Sequence, residues 1–240
     1  MKRYYYDLHL HSCLSPCADN DSTPGNLAGM AKLCGLDIVA LTDHNSTRNS
    51  PAFFKACYEY GLIPIAGLEL TTSEDIHAVC LFPSLCDALA FDKELDKHRI
   101  RITNRTDIFG EQLICDENDE VCGSYPDLLS VATTISIEDA PDLVSSFGGV
   151  CYPAHIDRDA NGIIAVLGTF PETPRFKVYE LRDENNRAFY EEKYNLGEKL
   201  AIISSDAHYL TGLRDAECFL ELEEADSPDE IVRSIFDLLR

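Results

Sequence analysis

The chain has 240 residues, 45% of them apolar, and 20 Lys and Arg face 42 Asp and Glu for a formal net charge of −22. That length and mixed composition predict one folded domain with a sizeable core and speak against a disordered chain. The acidic field repels a polyanion and no basic stripe offsets it, which argues against long nucleic acid as a partner; a small phosphorylated molecule held beside bound cations stays compatible.

No apolar run, for example 36–41 or 62–70, approaches the roughly 20 residues needed to span a bilayer. The N-terminus runs directly into Asp7 and His9 and reads as a first strand, with no secretory signal and no membrane helix expected. The ten cysteines are irregularly spaced and contain no C-x-x-C pair, which predicts reduced thiols in a cytoplasmic protein. Cys34, Cys57, Cys80 and Cys151 sit in apolar stretches and are expected as small core residues.

In chain order, strands are expected at 4–10, 37–41, 63–66, 77–82, 149–153, 177–181, 201–204 and 216–222, alternating with helices around a mostly parallel sheet. Thr23-Pro24, Ser50-Pro51 and Ser227-Pro228 each offer an N-cap hydroxyl followed by proline, and Gly35 and Gly61 close the first two helices. This is an α/β pattern that suits a TIM-like barrel, whose active site gathers at the C-terminal ends of the strands. Residues 84–136 break the rhythm. They contain a charged stretch, 91–105, read as an exposed helix, and a hairpin over 112–121 turning at Asp116-Glu117-Asn118-Asp119, and they read as an insertion on a single barrel spanning 1–240.

Chemistry concentrates at the strand ends. In Asp7-Leu8-His9-Leu10-His11, residues two apart share a side, so His9 and His11 present two imidazoles to one ion; two hydrogen-bonded polar histidines are the plain alternative. Thr42-Asp43-His44-Asn45 follows the second strand and is a candidate for either site residues or a cap. Gly67-Leu68-Glu69-Leu70 offers a carboxylate able to bridge ions, with His77 opening the next strand. Tyr152-Pro153-Ala154-His155 and Ser204-Ser205-Asp206-Ala207-His208 complete the set. Five strand ends that each offer His, Asp or Glu favour a metal centre over core histidines. His98, in a charged stretch, reads as a surface residue.

These motifs, in this order and across nearly the whole chain, resemble the PHP family, named for its polymerase-associated and histidinol phosphatase members. The resemblance implies a distorted (β/α)7 barrel with two to three divalent ions of zinc, manganese or iron at its C-terminal mouth. It further implies hydrolysis of a small phosphate ester by a metal-bound hydroxide. Carried over by position, one ion takes His9, His11, Glu69 and Asp206; a second shares Glu69 and adds His77 and His155; a third takes His44 and His208. The family pattern H-S-x-x-S-D-G reads here His11-Ser12-Cys13-Leu14-Ser15-Pro16-Cys17, with Pro16 in place of the expected ligand. Cys17 is the nearest replacement, with Asp19 second, and a thiolate would bias that site toward zinc or iron. A loop role for Cys17 is the alternative.

Glu69 and Asp206 are expected to hold ions and orient water, with His208 as the candidate acid. Arg158, three residues after His155, is the first choice to grip the phosphate, ahead of Arg182 and Arg187. Two other readings are an amidohydrolase-type enzyme, which shares the H-x-H first strand, and a non-catalytic regulatory metal-binding module.

Overall fold

A computed structural model describes residues 1–240. Its largest sheet has six strands in the order β10-β1-β2-β3-β4-β7, formed by β1 (Lys2–Leu10), β2 (Ile38–Leu41), β3 (Ile63–Thr71), β4 (His77–Phe82), β7 (Val150–Pro153) and β10 (Phe219–Leu222). β5 (Leu113–Cys115) and β6 (Val121–Ser124) form a hairpin, and β8 (Val178–Leu181) pairs in parallel with β9 (Leu200–Ile203).

The sheet curls but its ladder does not close. Where β7 gives way to β8, Ile156 N–H donates to the Glu180 carbonyl at 2.9 Å; where β9 approaches β1, the link is a bridge between Leu10 and Ala207. The arrangement is therefore a mixed α/β fold with a curled half-barrel sheet and a two-stranded ribbon beside it. The mostly parallel sheet expected from the sequence is corrected as well. β1–β2 and β2–β3 are parallel, whereas β3–β4, β4–β7 and β1–β10 are antiparallel. The reason is local: the link from Thr71 to His77 contains no helix, and a parallel return needs a crossover of a dozen or more residues.

Two of the three expected helix caps form as read. Thr23 accepts from Asn26 N–H to start α1 (Pro24–Leu33), and Ser227 accepts from Glu230 N–H to start α8 (Pro228–Leu239). Ser50 is instead the first residue of α2 (Ser50–Tyr60), with Asn49 at the cap position. The Asn49 side chain is occupied elsewhere, donating to Ser12 Oγ and accepting from Cys115 N–H. Gly61 ends α2 at φ +69°, a conformation that costs other residues a Cβ clash.

A core of Tyr4, Tyr6, Leu8, Ile65, Val79 and Tyr152 fills the concave side of the sheet, and the apolar face of α8, Ile231, Ile235, Phe236 and Leu239, joins it. The helices α1 and α2 cover β1 and β2, while α3 (Leu85–Leu95) and α5 (Ala140–Ser145) cover β3 and β4. No helix is long and apolar enough to cross a membrane.

Residues 84–136 contain α3, the short α4 (Thr106–Phe109) and the β5–β6 hairpin. The exposed helix expected over 91–105 is corrected: the helix spans Leu85–Leu95, and Phe91, Asp92 and Leu95 are buried. Beyond it the Arg99 side chain, 6% exposed, pairs with Asp92 and Asp96 and donates to the Asn45 carbonyl. The hairpin tip reaches back to α1, where Asp119 accepts from Thr23 Oγ1 and from Gly25 N–H.

Candidate metal centre

Strand direction brings the motifs together. β1, β2, β3, β7 and β9 deliver His9 and His11, His44, Glu69, His155, and Asp206 and His208 near their C-terminal ends. Because β4 runs against β3, its first residue, His77, meets the same end. Gly67 permits the close approach of β3 and β4, since a Cβ there would lie 2.7 Å from the Cys80 carbonyl oxygen.

Glu69 is the hub. Its Oε1 lies 2.7 Å from His77 Nδ1, 2.9 Å from His155 Nε2 and 3.4 Å from His9 Nε2. Its Oε2 lies 2.9 Å from His44 Nδ1 and 3.3 Å from His11 Nε2. Asp206 Oδ1 stands 3.4 Å from His11 Nε2 and 3.6 Å from His9 Nε2. All of these side chains are buried, and His208 is 17% exposed at the edge.

Burial alone would raise the Glu69 carboxyl, but His77, His9 and His44 outweigh it and hold the group ionised, well below the usual range. Asp206 is likewise lowered: burial opposes ionisation, and His9 and His11 overcome it. Burial disfavours a charged His9, yet Glu180, Glu69 and Asp206 raise its affinity for a proton well above the ordinary imidazole. A field that retains protons on buried rings also attracts dications, which compete for the same nitrogens.

The donor set fits divalent metal ions. His9, His11, Glu69 and Asp206 offer one group of convergent ligand atoms, His44, Glu69 and His77 a second, and His11, His44 and His208 a third. His44 Nδ1, His77 Nδ1, Glu69 Oε2 and Asp206 Oδ1 are buried without a hydrogen-bond partner, which is costly unless a cation satisfies them. His9 and His11 present their Nε2 atoms to each other at 3.1 Å while their Nδ1 atoms are engaged elsewhere.

Those Nδ1 partners were not picked out from the sequence. His9 Nδ1–H donates to Glu180 Oε1 at 2.8 Å, and the same oxygen accepts from His155 N–H. His11 Nδ1–H donates to Ser15 Oγ at 2.9 Å, and Ser15 in turn donates to Asp43 Oδ1 at 2.7 Å. Asp7 accepts from the backbone N–H of His9 and of Ser205, tying the first motif to the last. Such partners fix the tautomer and aim of a ligating imidazole. Glu180 had a signal available, as the one acid in the apolar strand Val178–Leu181. His155 and Asp206 adopt φ of 28° and 54°, a left-handed backbone that costs about 1–3 kcal/mol each and concentrates at functional sites.

The other sequence candidates separate clearly. Arg158 Nη1 donates to Asp206 Oδ2 at 2.9 Å, with Arg182 Nε 3.8 Å from the same oxygen. Arg187 pairs with Glu191 on its own helix, α7 (Arg187–Tyr194). Cys17 Sγ lies 3.2 Å from His44 Nε2, whereas Asp19 meets His208 through a backbone N–H. Burial would raise the Cys17 thiol, but His44 and His208 bring it down to about 5. His98 stands apart, against Thr134 Oγ1.

Among known proteins, the chain is 36% identical over 77 residues to an error-prone DNA polymerase of Symbiobacterium thermophilum, covering 32% of this chain and 7% of the polymerase. It is 33% identical over 76 residues to an uncharacterized protein of Methanocaldococcus jannaschii, covering 28% of this chain and 44% of that one. The chain thus spans less than half the length of the curated relatives it matches. Its fold is similar to that of the lesion-specific endonuclease PfuEndoQ from Pyrococcus furiosus, with a TM-score of 0.66 at 18% identity over 99% of this chain and 56% of the endonuclease. An amidohydrolase from Chromobacterium violaceum aligns with a TM-score of 0.55 at 19% identity, over 91% of this chain and 92% of that one. A candidate metal-dependent phosphoesterase from Bifidobacterium adolescentis aligns with a TM-score of 0.51 at 18% identity, over 96% and 95% of the two chains. The PHP domain model matches residues 7–145, more than half of the chain, and the chain belongs to that family.

Proposed function

We propose that the chain is a metal-dependent phosphoesterase acting on a small phosphate ester. The observation that carries this reading is the convergence of six imidazoles, five of them buried, around Glu69 and Asp206, with Arg158 on the outer oxygen of Asp206. His9, His11, Glu69 and Asp206 would hold one ion, and Glu69, His77 and His155 a second. Bound divalent ions supply Lewis acidity, lower the pKa of water and neutralise phosphate oxygens.

The residues of the chain do the rest. Glu180 and Ser15 hold the His9 and His11 rings in the orientation that turns Nε2 inward. Arg158, 35% exposed at its side chain, has further guanidinium N–H groups with which to bind a phosphoryl oxygen while it stays paired with Asp206. His208, 17% exposed at the solvent edge, keeps its Nδ1 on the Asp206 carbonyl, which leaves Nε2 for an ion or for a proton passed to a leaving alkoxide but not for both. The net charge of −22 favours a small substrate over a long polyanion.

The test is metal-depleted protein reloaded with zinc, manganese or ferrous iron and assayed on p-nitrophenyl phosphate, nucleotides, sugar phosphates and small bisphosphates. Parallel assays use an abasic-site DNA duplex and a panel of amides and lactams. Metal-dependent release of phosphate from a small ester is expected. Cleavage of the duplex alone, of amides alone, or of nothing by fully loaded protein would each overturn the reading, the last in favour of a regulatory metal-binding module.

A further inference from the structure

The Glu69 and Asp206 array does not account for everything at its edge. His208 Nδ1–H donates to the Asp206 carbonyl at 2.9 Å, so the lone pair of its Nε2 is free. His44 Nδ1 lies 2.9 Å from Glu69 Oε2 without a hydrogen bond to it, and the other ring nitrogen, Nε2, faces Cys17 Sγ at 3.2 Å. His11 is common to this group and to the neighbouring one. Its Nδ1 is held by Ser15 and its Nε2 faces Glu69 and Asp206, although its ring stacks on His208 with centroids 4.1 Å apart.

The loop that carries the sulfur is built to hold it there. Ala18 N–H donates to the Ser15 carbonyl and Asp19 N–H to the His208 carbonyl, each at 2.9 Å, and Ser22 N–H closes back on Asp19 at 3.0 Å. From the other side the 84–136 segment packs on the preceding residue, so closely that a Cβ at Gly110 would fall 2.5 Å from the Pro16 carbonyl oxygen.

We propose that Cys17, His44 and His208 form a separate, thiolate-bearing ion site that takes zinc or ferrous iron in preference to manganese, so that the centre holds unlike metals. This rests on the metal-dependent reading above. Thiolate and imidazole together suit zinc and iron, whereas manganese favours carboxylate-rich sites such as the one around Glu69 and Asp206. Three protein ligands leave one tetrahedral position open, the pattern of catalytic zinc and not of structural zinc. Cys17 is exposed, which puts this site at the mouth.

Cobalt(II) alone, titrated into metal-depleted full-length protein, is the probe. The wild type is expected to develop a near-ultraviolet thiolate-to-cobalt charge-transfer band. Cys17→Ser should lose the band and one equivalent of cobalt while keeping the visible absorption of the remaining ions, and Asp19→Asn should match the wild type. Circular dichroism of the metal-free variants establishes that the fold is intact. In a second arm, zinc added to manganese-loaded wild type should enter by one equivalent without displacing manganese, and this uptake should vanish in Cys17→Ser. Bound cobalt without the band, a band that persists in Cys17→Ser, or loss of all cobalt from that variant would each overturn the separate site. Wild type that binds no cobalt would overturn both readings, whereas the band in a protein inactive on every phosphate ester would overturn only the proposed activity.

Discussion

The six-stranded sheet and the β8–β9 ribbon both deliver ligands to the centre, but they are held in place by different forces. In the sheet, His9, Glu69 and His77 lie on strands joined by backbone ladders, interrupted on β1 by a register shift between Asp7 and Leu10, and residues 84–136 brace that side from outside through Asn49, Asn45 and Thr71. The ribbon brings Asp206 and His208 and shares the apolar core, but its backbone links to the sheet are isolated ones, Ile156 N–H to the Glu180 carbonyl and His11 N–H to the Ala207 carbonyl. Buried polar side chains supplement them: Tyr6 Oη accepts from Ile203 N–H, Asp7 from Ser205 N–H, and Glu180 takes both His9 Nδ1–H and His155 N–H. Ligand position thus depends on backbone ladders on one side and on isolated backbone links and a few side chains on the other.

The sharpest way to break the comparison is at the point where both halves meet. Glu69→Gln keeps the shape of the hub and removes its charge. Metal content measured by elemental analysis should fall by at least one equivalent, and turnover of the best substrate by roughly 10³-fold, the loss expected when several kcal/mol of charge stabilisation disappear. A variant that stays fully loaded and active would mean that the imidazoles and Asp206 suffice without it.

On the sheet side, the external brace can be tested through stability. Asp92→Ala leaves the buried Arg99 guanidinium with Asp96 and the backbone carbonyls of Asn45 and residue 92. Removing one partner of a buried pair costs about 3–5 kcal/mol, and the remaining contacts place this case near the lower end. Denaturant unfolding should show that loss, with metal stoichiometry unchanged in the folded protein; a change under 1 kcal/mol would show that the brace contributes little.

Across the gap, Glu180→Gln keeps an acceptor for His9 Nδ1–H but removes the charge that favours it. Partners of this kind typically affect metal affinity by about 10–100-fold. The expected result is weaker metal binding by competition with a chelator, and recovery of activity at high metal concentration. Equal affinity in variant and wild type would make Glu180 a purely structural acid.

The contrast between the halves also explains what could be read from the sequence. His9 and His11, His44, Glu69, His77, His155, Asp206 and His208 were legible because each sits at the edge of an apolar run, and their types and spacing mark ligand chemistry without knowledge of partners. The strand positions followed from the same runs. Strand direction did not, because alternation of apolar segments is silent about whether the link from Thr71 to His77 crosses over or turns back. Closure of the barrel lies outside the sequence for a related reason: hydrophobic pattern marks strands but not whether β7 and β8 share a ladder. The partners of the supporting acids were not legible, since Glu180, Asp43 and Asp7 act through contacts with residues 171, 31 and 198 positions away.

The smallest of these effects isolates the seam itself. Tyr6 is buried in the core, and its hydroxyl is the acceptor for Ile203 N–H at 3.2 Å. Tyr6→Phe preserves the packing of the ring and leaves that buried N–H without its partner, at a cost of about 1–3 kcal/mol. If the ribbon is held by such side chains, the loss should be local: amide hydrogen exchange should accelerate at Ile203 and its β8–β9 neighbours while β1–β4 stays protected. Uniform acceleration across both halves would instead mean that the ribbon and the sheet open as one unit, and that the gap in the ladder has no separate mechanical consequence for Asp206 and His208.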